Sequence, residues 1–200
     1  MKEKVLSALK WFYKSFIWLF VIFLAIDITT KQIIIHSGVE PYTNVADWVI
    51  VRINYVLNYN AAFGIGANDH NVSRIVYLSV ASLVSVGLII YMISQRKKMK
   101  LYVRACLMLI LVGAFGNMID RIFYGPYYAV VDWIDFFWFW DYNFNIADSC
   151  IVVAAFMLII YIIVLEVKEA KAKRDAEIVA NKPQESATNE VESLDNNKSE

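Results

Sequence analysis

The sequence is poor in the residues from which most metal and thiol sites are built. It contains two cysteines and two histidines in 200 residues, and no Cys-x-x-Cys pair or Cys/His cluster. Neither His36 nor His70 has a serine or cysteine motif beside it, so the sequence does not indicate nucleophilic catalysis. We therefore expect no metal and no other cofactor. Cys106 and Cys150 are interpreted as small apolar packing residues in opposite leaflets.

The chain also has no net charge, because 19 lysines and arginines balance 19 aspartates and glutamates. No global basic excess therefore points to nucleic acid as a partner. Apolar residues, in contrast, are abundant: 59% of the chain is hydrophobic, 15% is aromatic, and mean hydropathy is +0.48. A soluble domain is usually nearer half apolar or below. The composition indicates a polytopic membrane protein, and the length fits a single compact unit.

Four apolar stretches are long enough to cross about 30 Å of hydrocarbon. The predicted spans are residues 11–35, 72–94, 101–123 and 145–167. The first is too long, and too polar at its far end, for a cleavable signal peptide, so we interpret it as a retained anchor. Residues 1–174 form the predicted four-span domain. Residues 175–200, rich in Glu, Asn, Ser and Lys, are predicted to be a disordered cytoplasmic tail.

Lysine and arginine are nearly missing from the two long connections between spans. Residues 122–144 have none, and residues 36–71 have only Arg52. Basic residues lie instead before the first span, between the second and third, and after the fourth. By the positive-inside rule, both termini are cytoplasmic and both long connections face outward. This topology places the polar residues of the spans near the outer leaflet.

The two outer connections have different patterns. Residues 49–57 alternate with period two and are rich in strand-forming residues, which predicts a small sheet on the membrane surface. Residues 122–144 are crowded with Tyr, Trp and Phe, whose rings favour the headgroup level, so an interfacial helix or loop is expected there. The predicted fold is an all-α membrane protein with a small β element: a four transmembrane helix bundle plus an extracytoplasmic surface sheet and an interfacial helix or loop.

Two polar groups lie within the predicted helices, where such side chains are costly and mark candidate sites. Asp27 and Lys31 are four residues apart and share a face, which favours a structural ion pair with Lys31 reaching outward. Asn117, Asp120 and Arg121 also share a face. They are typical either of a helix–helix hydrogen-bonded contact or of a site in which Arg121 binds a lipid phosphate or a substrate carbonyl.

Two further acids suggest a reaction. Asp132 lies in an apolar setting that should raise its pKa, and Asp148 begins the fourth span. Asn145 is typical of a helix cap, but a cap does not by itself account for Asp148. Two adjacent carboxylates share a proton, so one can activate water while the other protonates the leaving amine or the carbonyl oxygen. Spacing alone would also permit Asp120 as the partner of Asp148.

Five stretches, taken in order, resemble the motifs of bacterial lipoprotein signal peptidase, also called signal peptidase II. They are Asp27-Ile-Thr-Thr-Lys31, Asn58-Tyr-Asn-Ala-Ala-Phe-Gly64, Gly113-Ala-Phe-Gly-Asn-Met-Ile-Asp-Arg121, Val130-Val-Asp-Trp-Ile134 and Phe144-Asn-Ile-Ala-Asp148. Two positions depart from the family pattern. Asn60 stands where glycine is usual, and Val112-Gly113 replaces the common Gly-Gly.

The resemblance implies an intramembrane aspartic endopeptidase of the bacterial cytoplasmic (inner) membrane. Such an enzyme removes the signal peptide of a diacylglyceryl-modified prolipoprotein just before the lipidated cysteine. The resemblance assigns the catalytic dyad to Asp132 and Asp148. Supporting positions are Asp27, Lys31, Asn58, Asn117, Asp120, Arg121 and Asn145. The expected partners are the prolipoprotein signal peptide and membrane phospholipid, and the expected state is a monomer.

Two other function classes compete with this interpretation. A small proton-coupled transporter would also place acids in the membrane, but it needs them near mid-bilayer and reachable from both sides. A non-catalytic membrane adaptor would use the outer aromatic connection to hold a partner helix. That adaptor would tolerate Asp→Asn changes.

Overall fold

The computed structural model describes residues 2–48, 50–59, 69–123, 128–138 and 140–180. The helices are α1 (Lys2–Ser15), α2 (Ile17–Ile35), α3 (His70–Ser94), α4 (Leu101–Phe123) and α5 (Ile146–Ala180). The strands are β1 (Thr43–Asp47), β2 (Arg52–Asn58), β3 (Val130–Asp135) and β4 (Asn143–Phe144). The chain divides into two compact units, Met1–Leu158 and Ile159–Glu200. In the second unit, the described residues continue α5 to Ala180.

Helices α2, α3, α4 and α5 are each long and apolar enough to cross a membrane, which confirms the four predicted spans. The first span was placed too early, however, because the helix breaks at Phe16. That residue has a left-handed backbone, with φ 59°. The Ser15 hydroxyl donates to the Phe12 carbonyl at 2.7 Å and accepts from the Ile17 amide at 3.3 Å. Such local bonds compete with the helix ladder, so the span begins at Ile17.

The last helix is longer than its apolar pattern suggested. It begins at Ile146 and ends at Ala180, so residues 175–180, expected as disordered tail, are helical. Alanine, lysine and glutamate make up most of residues 168–180, the part of α5 beyond the predicted span, and all three are strong helix formers. The rest of the predicted tail, residues 181–200, lies outside the described residues.

The four strands form one antiparallel sheet in the order β1-β2-β3-β4. The predicted strand over residues 49–57 was therefore only partly right. A turn closed by the Trp48 amide and the Val51 carbonyl, 3.0 Å apart, separates β1 from β2. The second connection supplies β3 and β4, and its described residues beyond the end of α4, 128–138 and 140–144, contain no helix. Pairing of β2 with β3 joins the two connections into one sheet.

The helices approach closely at two glycines of α4. A Cβ at Gly113 would lie 2.7 Å from the Ala147 carbonyl oxygen, and one at Gly116 would lie 2.5 Å from the Asp27 carboxylate. Glycine is therefore required for α4 to contact both α2 and α5. Beside these contacts lies an apolar core of Cys106, Leu109, Val112, Cys150 and Ala154.

Both thiols are free and buried in that one core. They pack as small apolar groups, as the sequence predicted, and their placement in opposite leaflets stays a prediction. A second apolar cluster, Ile34, Tyr55 and Val131, packs the sheet against the end of α2. It brings β3 to the helix ends where the polar residues lie.

Candidate active site

Asp132 lies on β3 with only 2% of its surface exposed. Both carboxylate oxygens are occupied. Oδ2 accepts from Nδ2 of Asn58 at 2.8 Å, and Oδ1 accepts from Nδ2 of Asn145 at 2.7 Å. Asn58 ends β2, the strand paired with β3, so the sheet places donor and acceptor together. The carboxyl group is thereby fixed between the sheet and the start of α5.

Asp148 lies in the first turn of α5. Its Oδ1 accepts from Nδ2 of Asn117 at 2.7 Å, and its Oδ2 accepts from the Asn145 amide at 3.3 Å. In return, Oδ1 of Asn145 accepts from the Asp148 amide at 2.8 Å. This reciprocal pair is a capping box. The helix cap predicted at Asn145 is confirmed, and its two hydrogen bonds also help to fix the position of Asp148.

Asn145 connects the two acids. Its side-chain amide has two N–H donors. The described structure places Asp132 Oδ1 at 2.7 Å and Asn117 Oδ1 at 3.0 Å from the amide nitrogen. Its backbone amide and side-chain carbonyl hold Asp148. One fully buried carboxamide therefore orients both carboxylates, which the motif spacing alone could not show.

The pKa of Asp132 is raised to about 8. Burial is the main cause, and the negative charge of Asp148 adds to it; hydrogen bonds from Asn58 and Asn145 and the charge of Lys31 oppose the rise. Two acids in this relation titrate as a pair that retains one proton near neutral pH. The site can thus offer an acid and a base at the same time.

Beneath the pair lies a buried ionic cluster of Asp27, Lys31 and Asp120. Lys31 Nζ is 2.8 Å from Asp27 Oδ2, 2.8 Å from Asp120 Oδ2 and 3.2 Å from Asn117 Oδ1. These contacts use all three ammonium donors. The predicted ion pair of Asp27 with Lys31 is confirmed. The prediction that Lys31 reaches outward is wrong, because its side chain is fully buried among these acceptors.

Each acid of this cluster also accepts a hydrogen bond from the backbone amide of the residue just before Asp132 or Asp148. Asp27 Oδ1 accepts from the Ala147 amide at 2.8 Å, and Asp120 Oδ2 accepts from the Val131 amide at 3.3 Å. Ala147 precedes Asp148 and Val131 precedes Asp132. The cluster therefore fixes the backbone on both sides of the site. Both contacts of Asp120 use Oδ2, and among the described residues its buried Oδ1 has no hydrogen-bond partner.

Arg121 lies beside the site, next to Asp120, which forms its 2.8 Å ion pair with Lys31. The Arg121 guanidinium donates to the Asn117 carbonyl at 3.2 Å and lies 5.1 Å from the Tyr77 ring. It also interacts electrostatically with Asp132, Asp148 and Asp120. The planar guanidinium is a group that suits a carbonyl or phosphate oxygen.

Arg74 was not among the predicted site residues. Its Nε donates to the Arg121 carbonyl at 2.8 Å, and its guanidinium lies 3.5 Å from the Tyr128 ring centre. The only sequence signal was a basic residue at the outer end of a span. The departure at Asn60 lies outside the described residues, whereas Val112 is a fully buried core residue.

The four apolar helices are those of a multi-pass membrane protein. The cluster of acids and carboxamides at one end of these helices is the kind of site that an enzyme uses. A family model described as signal peptidase (SPase) II matches residues 19–164. The chain belongs to this signal peptidase II family.

Curated relatives of the chain are named lipoprotein signal peptidase. The lipoprotein signal peptidase of Haemophilus influenzae is 32% identical over 80% of this chain and 92% of its own length. That of Clostridioides difficile is 32% identical over 76% of this chain and 97% of its own. A solved bacterial membrane enzyme matches with TM-score 0.61 and 26% identity, over 73% of this chain and 90% of its own. A second solved one matches with TM-score 0.62 and 24% identity over 84% of this chain and 91% of its own, and supports the fold alone.

Proposed function

We propose that this signal peptidase II is an aspartic endopeptidase that cleaves diacylglyceryl-modified prolipoproteins just before the lipidated cysteine. Membership in the family supports removal of signal peptides from prolipoproteins. The aspartic mechanism is carried by one observation: Asn145 bonds to both Asp132 and Asp148 and so holds two carboxyl groups at one place. Cys150 lies two residues beyond Asp148 and interacts electrostatically with it, but its thiol is buried in the apolar core with Cys106 and Val112.

In this mechanism Asp132 starts protonated and acts as the acid, and Asp148 starts ionised and acts as the base. The raised pKa of Asp132 favours its protonated form near neutral pH. Asp148 removes a proton from water, the water oxygen attacks the scissile carbonyl carbon, and Asp132 protonates the carbonyl oxygen. Asp148 then gives its proton to the leaving nitrogen as the C–N bond breaks. Asp132 recovers its proton from the hydroxyl of the intermediate, so the pair returns to its starting state.

The supporting residues have positioning roles in this proposal. Asn58 and Asn117 each donate to one oxygen of the pair, which leaves the remaining lone pairs directed at water and substrate. Asp27, Lys31 and Asp120 fix the backbone beneath it. Arg121 is the group that binds the substrate carbonyl or a lipid phosphate.

The proposed topology has both termini in the cytoplasm and the site near the outer leaflet, with the enzyme acting as a monomer among membrane phospholipids. The absence of lysine and arginine from residues 122–144 supports this orientation. The acids cluster at one end of the helices, whereas a proton-coupled transporter needs groups reachable from both sides.

Product analysis tests the reaction. The purified protein is incubated in H₂¹⁸O with a diacylglyceryl-modified prolipoprotein, and the fragments are identified by mass spectrometry. We expect a product that starts at the lipidated cysteine, and one ¹⁸O atom in the new carboxylate of the signal peptide. The unmodified precursor is the control and should remain uncut. Cleavage elsewhere, equal cleavage of both precursors, or proton transport without cleavage would contradict the proposal.

A further inference from the structure

The first helix, α1, presents an apolar stripe that the described protein leaves exposed. At about 3.6 residues per turn, one face of Lys2–Ser15 gathers five apolar side chains. They are Val5, Leu6, Leu9, Phe12 and Tyr13, with exposed fractions between 44% and 67%. A contiguous exposed apolar surface marks an interaction site. Some other surface must therefore cover this stripe.

The opposite face of α1 is basic. It carries Lys4, Lys10 and Lys14, with Ser7 between them and Glu3 as the single acid of the helix, and it also carries the exposed ring of Trp11. All three lysines are exposed. A basic face opposite an apolar stripe is typical of helices that lie in the plane of a membrane interface.

The junction with α2 gives α1 a defined position. Phe16 adopts the left-handed backbone that ends α1. The Trp18 indole donates to the Tyr13 carbonyl at 3.1 Å, and the two rings stack with their planes 8° apart. A non-glycine residue holds this conformation only where its surroundings enforce it. The break between α1 and α2 is therefore enforced by these local contacts.

Arg104 ties the end of α1 to the turn between α3 and α4. One guanidinium nitrogen donates to the Lys14 carbonyl at 2.9 Å and another donates to the Arg96 carbonyl at 2.8 Å. The turn adds four exposed basic residues beside α1: Arg96, Lys97, Lys98 and Lys100. Positive charge from two separate parts of the chain is thus gathered at one end of the first unit.

We propose that α1 and the α3–α4 turn together form a docking surface for an anionic phospholipid leaflet. Two observations favour lipid as the occupant. The helix is joined directly to a membrane span, so its stripe lies at the bilayer boundary by connectivity. Its charge complements anionic headgroups, which attract basic residues close to the surface. The family match covers residues 19–164 and so does not include α1.

This surface is separate from the catalytic end. Arg104 is in the first turn of α4, whereas Asn117 and Asp120 are near its end. At about 1.5 Å per residue, roughly 20 Å separates the two levels. The surface therefore anchors the protein without contributing to the reacting groups.

Two spin labels on opposite faces of α1 test the proposal. Leu9→Cys reports on the apolar stripe and Ser7→Cys on the polar face, each in full-length protein with Cys106→Ala and Cys150→Ala. The protein is placed in nanodiscs of phosphatidylcholine alone or with phosphatidylglycerol. In the anionic discs, label 9 should be accessible to oxygen and shielded from a water-soluble nickel complex, with label 7 showing the reverse. The ratio of inserted to detached α1 should be at least about tenfold higher than in neutral discs.

Charge reversal separates lipid recognition from simple apolar insertion. The triple variant Lys4→Glu, Lys10→Glu and Lys14→Glu should lose the preference for anionic discs. The matched variant Lys168→Glu, Lys171→Glu and Lys173→Glu carries the same charge change on α5 and should keep it. The proposal is overturned if label 9 stays water-accessible in anionic discs, or if its insertion is equal in neutral discs. Equal shielding of both labels would also overturn it, because that indicates a protein partner.

Discussion

Asp27 accepts a hydrogen bond from the backbone amide of Ala147 at 2.8 Å, across 120 positions of sequence. Ala147 immediately precedes Asp148, so Asp27 on α2 fixes the position of the α5 backbone that carries Asp148. Asp120 does the same for Asp132 through the Val131 amide. Lys31 binds both acids and thereby couples the two anchors.

Replacing Lys31 should cost far more than breaking an exposed ion pair. Lys31→Met leaves Asp27 and Asp120 buried without their counter-ion, which should destabilise the protein by about 3–5 kcal/mol. The double change Lys31→Met with Asp120→Asn should recover part of that loss. Asp47→Asn, which breaks an exposed pair with Arg52, is the control and should leave thermal unfolding in detergent unchanged. A Lys31→Met protein as stable as that control would rule out the anchoring role.

Gly116→Ala should damage both stability and turnover. The added methyl would lie 2.5 Å from the Asp27 carboxylate and 2.8 Å from the Ala147 Cβ. Overpacking of this kind costs about 1–3 kcal/mol. Gly87→Ala is the matched control, because α3 has open space there and alanine favours the helix. Thermal unfolding and cleavage rates should separate the two variants; equal behaviour would contradict the close approach of α2, α4 and α5.

Asn58→Ala should change the pH dependence of cleavage as well as its rate. The Asn58 amide stabilises the charged form of Asp132, so its loss should raise the pKa of Asp132 further above 8. A hydrogen bond to a charged group is worth about 1.5–3 kcal/mol, which corresponds to a shift of about one pKa unit or more. The alkaline limb of kcat/KM should move to higher pH. Asn54→Ala, which removes a similar bond to Asp135, should leave that limb in place.

The raised pKa of Asp132 also makes stability depend on pH. The folded protein holds a proton that the unfolded chain releases near its ordinary pKa of 3.8. Stability from this group is therefore greatest below about pH 4 and falls as pH rises to about 8. The difference in unfolding temperature between the wild type and Asp132→Asn should shift in favour of the variant from pH 5 to pH 9. A difference that stays constant over this range would mean that Asp132 is ionised throughout.

The spans and the polar motifs could be predicted because each depends on residues close in sequence. Apolar runs mark the helices, and spacings of three or four place Asn117 and Asp120 on one face. The sharing of Lys31 between Asp27 and Asp120 could not be predicted this way, because it joins two helices. The start of α2 was also missed. Its apolar pattern runs on through Phe16, and only the hydroxyl of Ser15 and the backbone of Phe16 end the preceding helix.

The sheet shows a similar limit. Period-two alternation indicated extended structure over residues 49–57, but it did not show that a turn precedes β2 or that Thr43–Asp47 forms the edge strand. Pairing of β2 with β3 joins two connections that are far apart in sequence. It places Asn58 against Asp132, a contact that only the family motifs suggested as part of one site.

The central claim is that Asp132 and Asp148 react together. The most direct test is the single-turnover cleavage rate of a diacylglyceryl prolipoprotein by folded Asp132→Asn and Asp148→Asn proteins, with Asp135→Asn on the same strand as the control. Each of the first two changes should slow cleavage by about 10⁴-fold, and both together by little more, since the two groups act as a unit. The control should cut at close to the wild-type rate. Near-normal cleavage by either Asp132→Asn or Asp148→Asn would contradict the account.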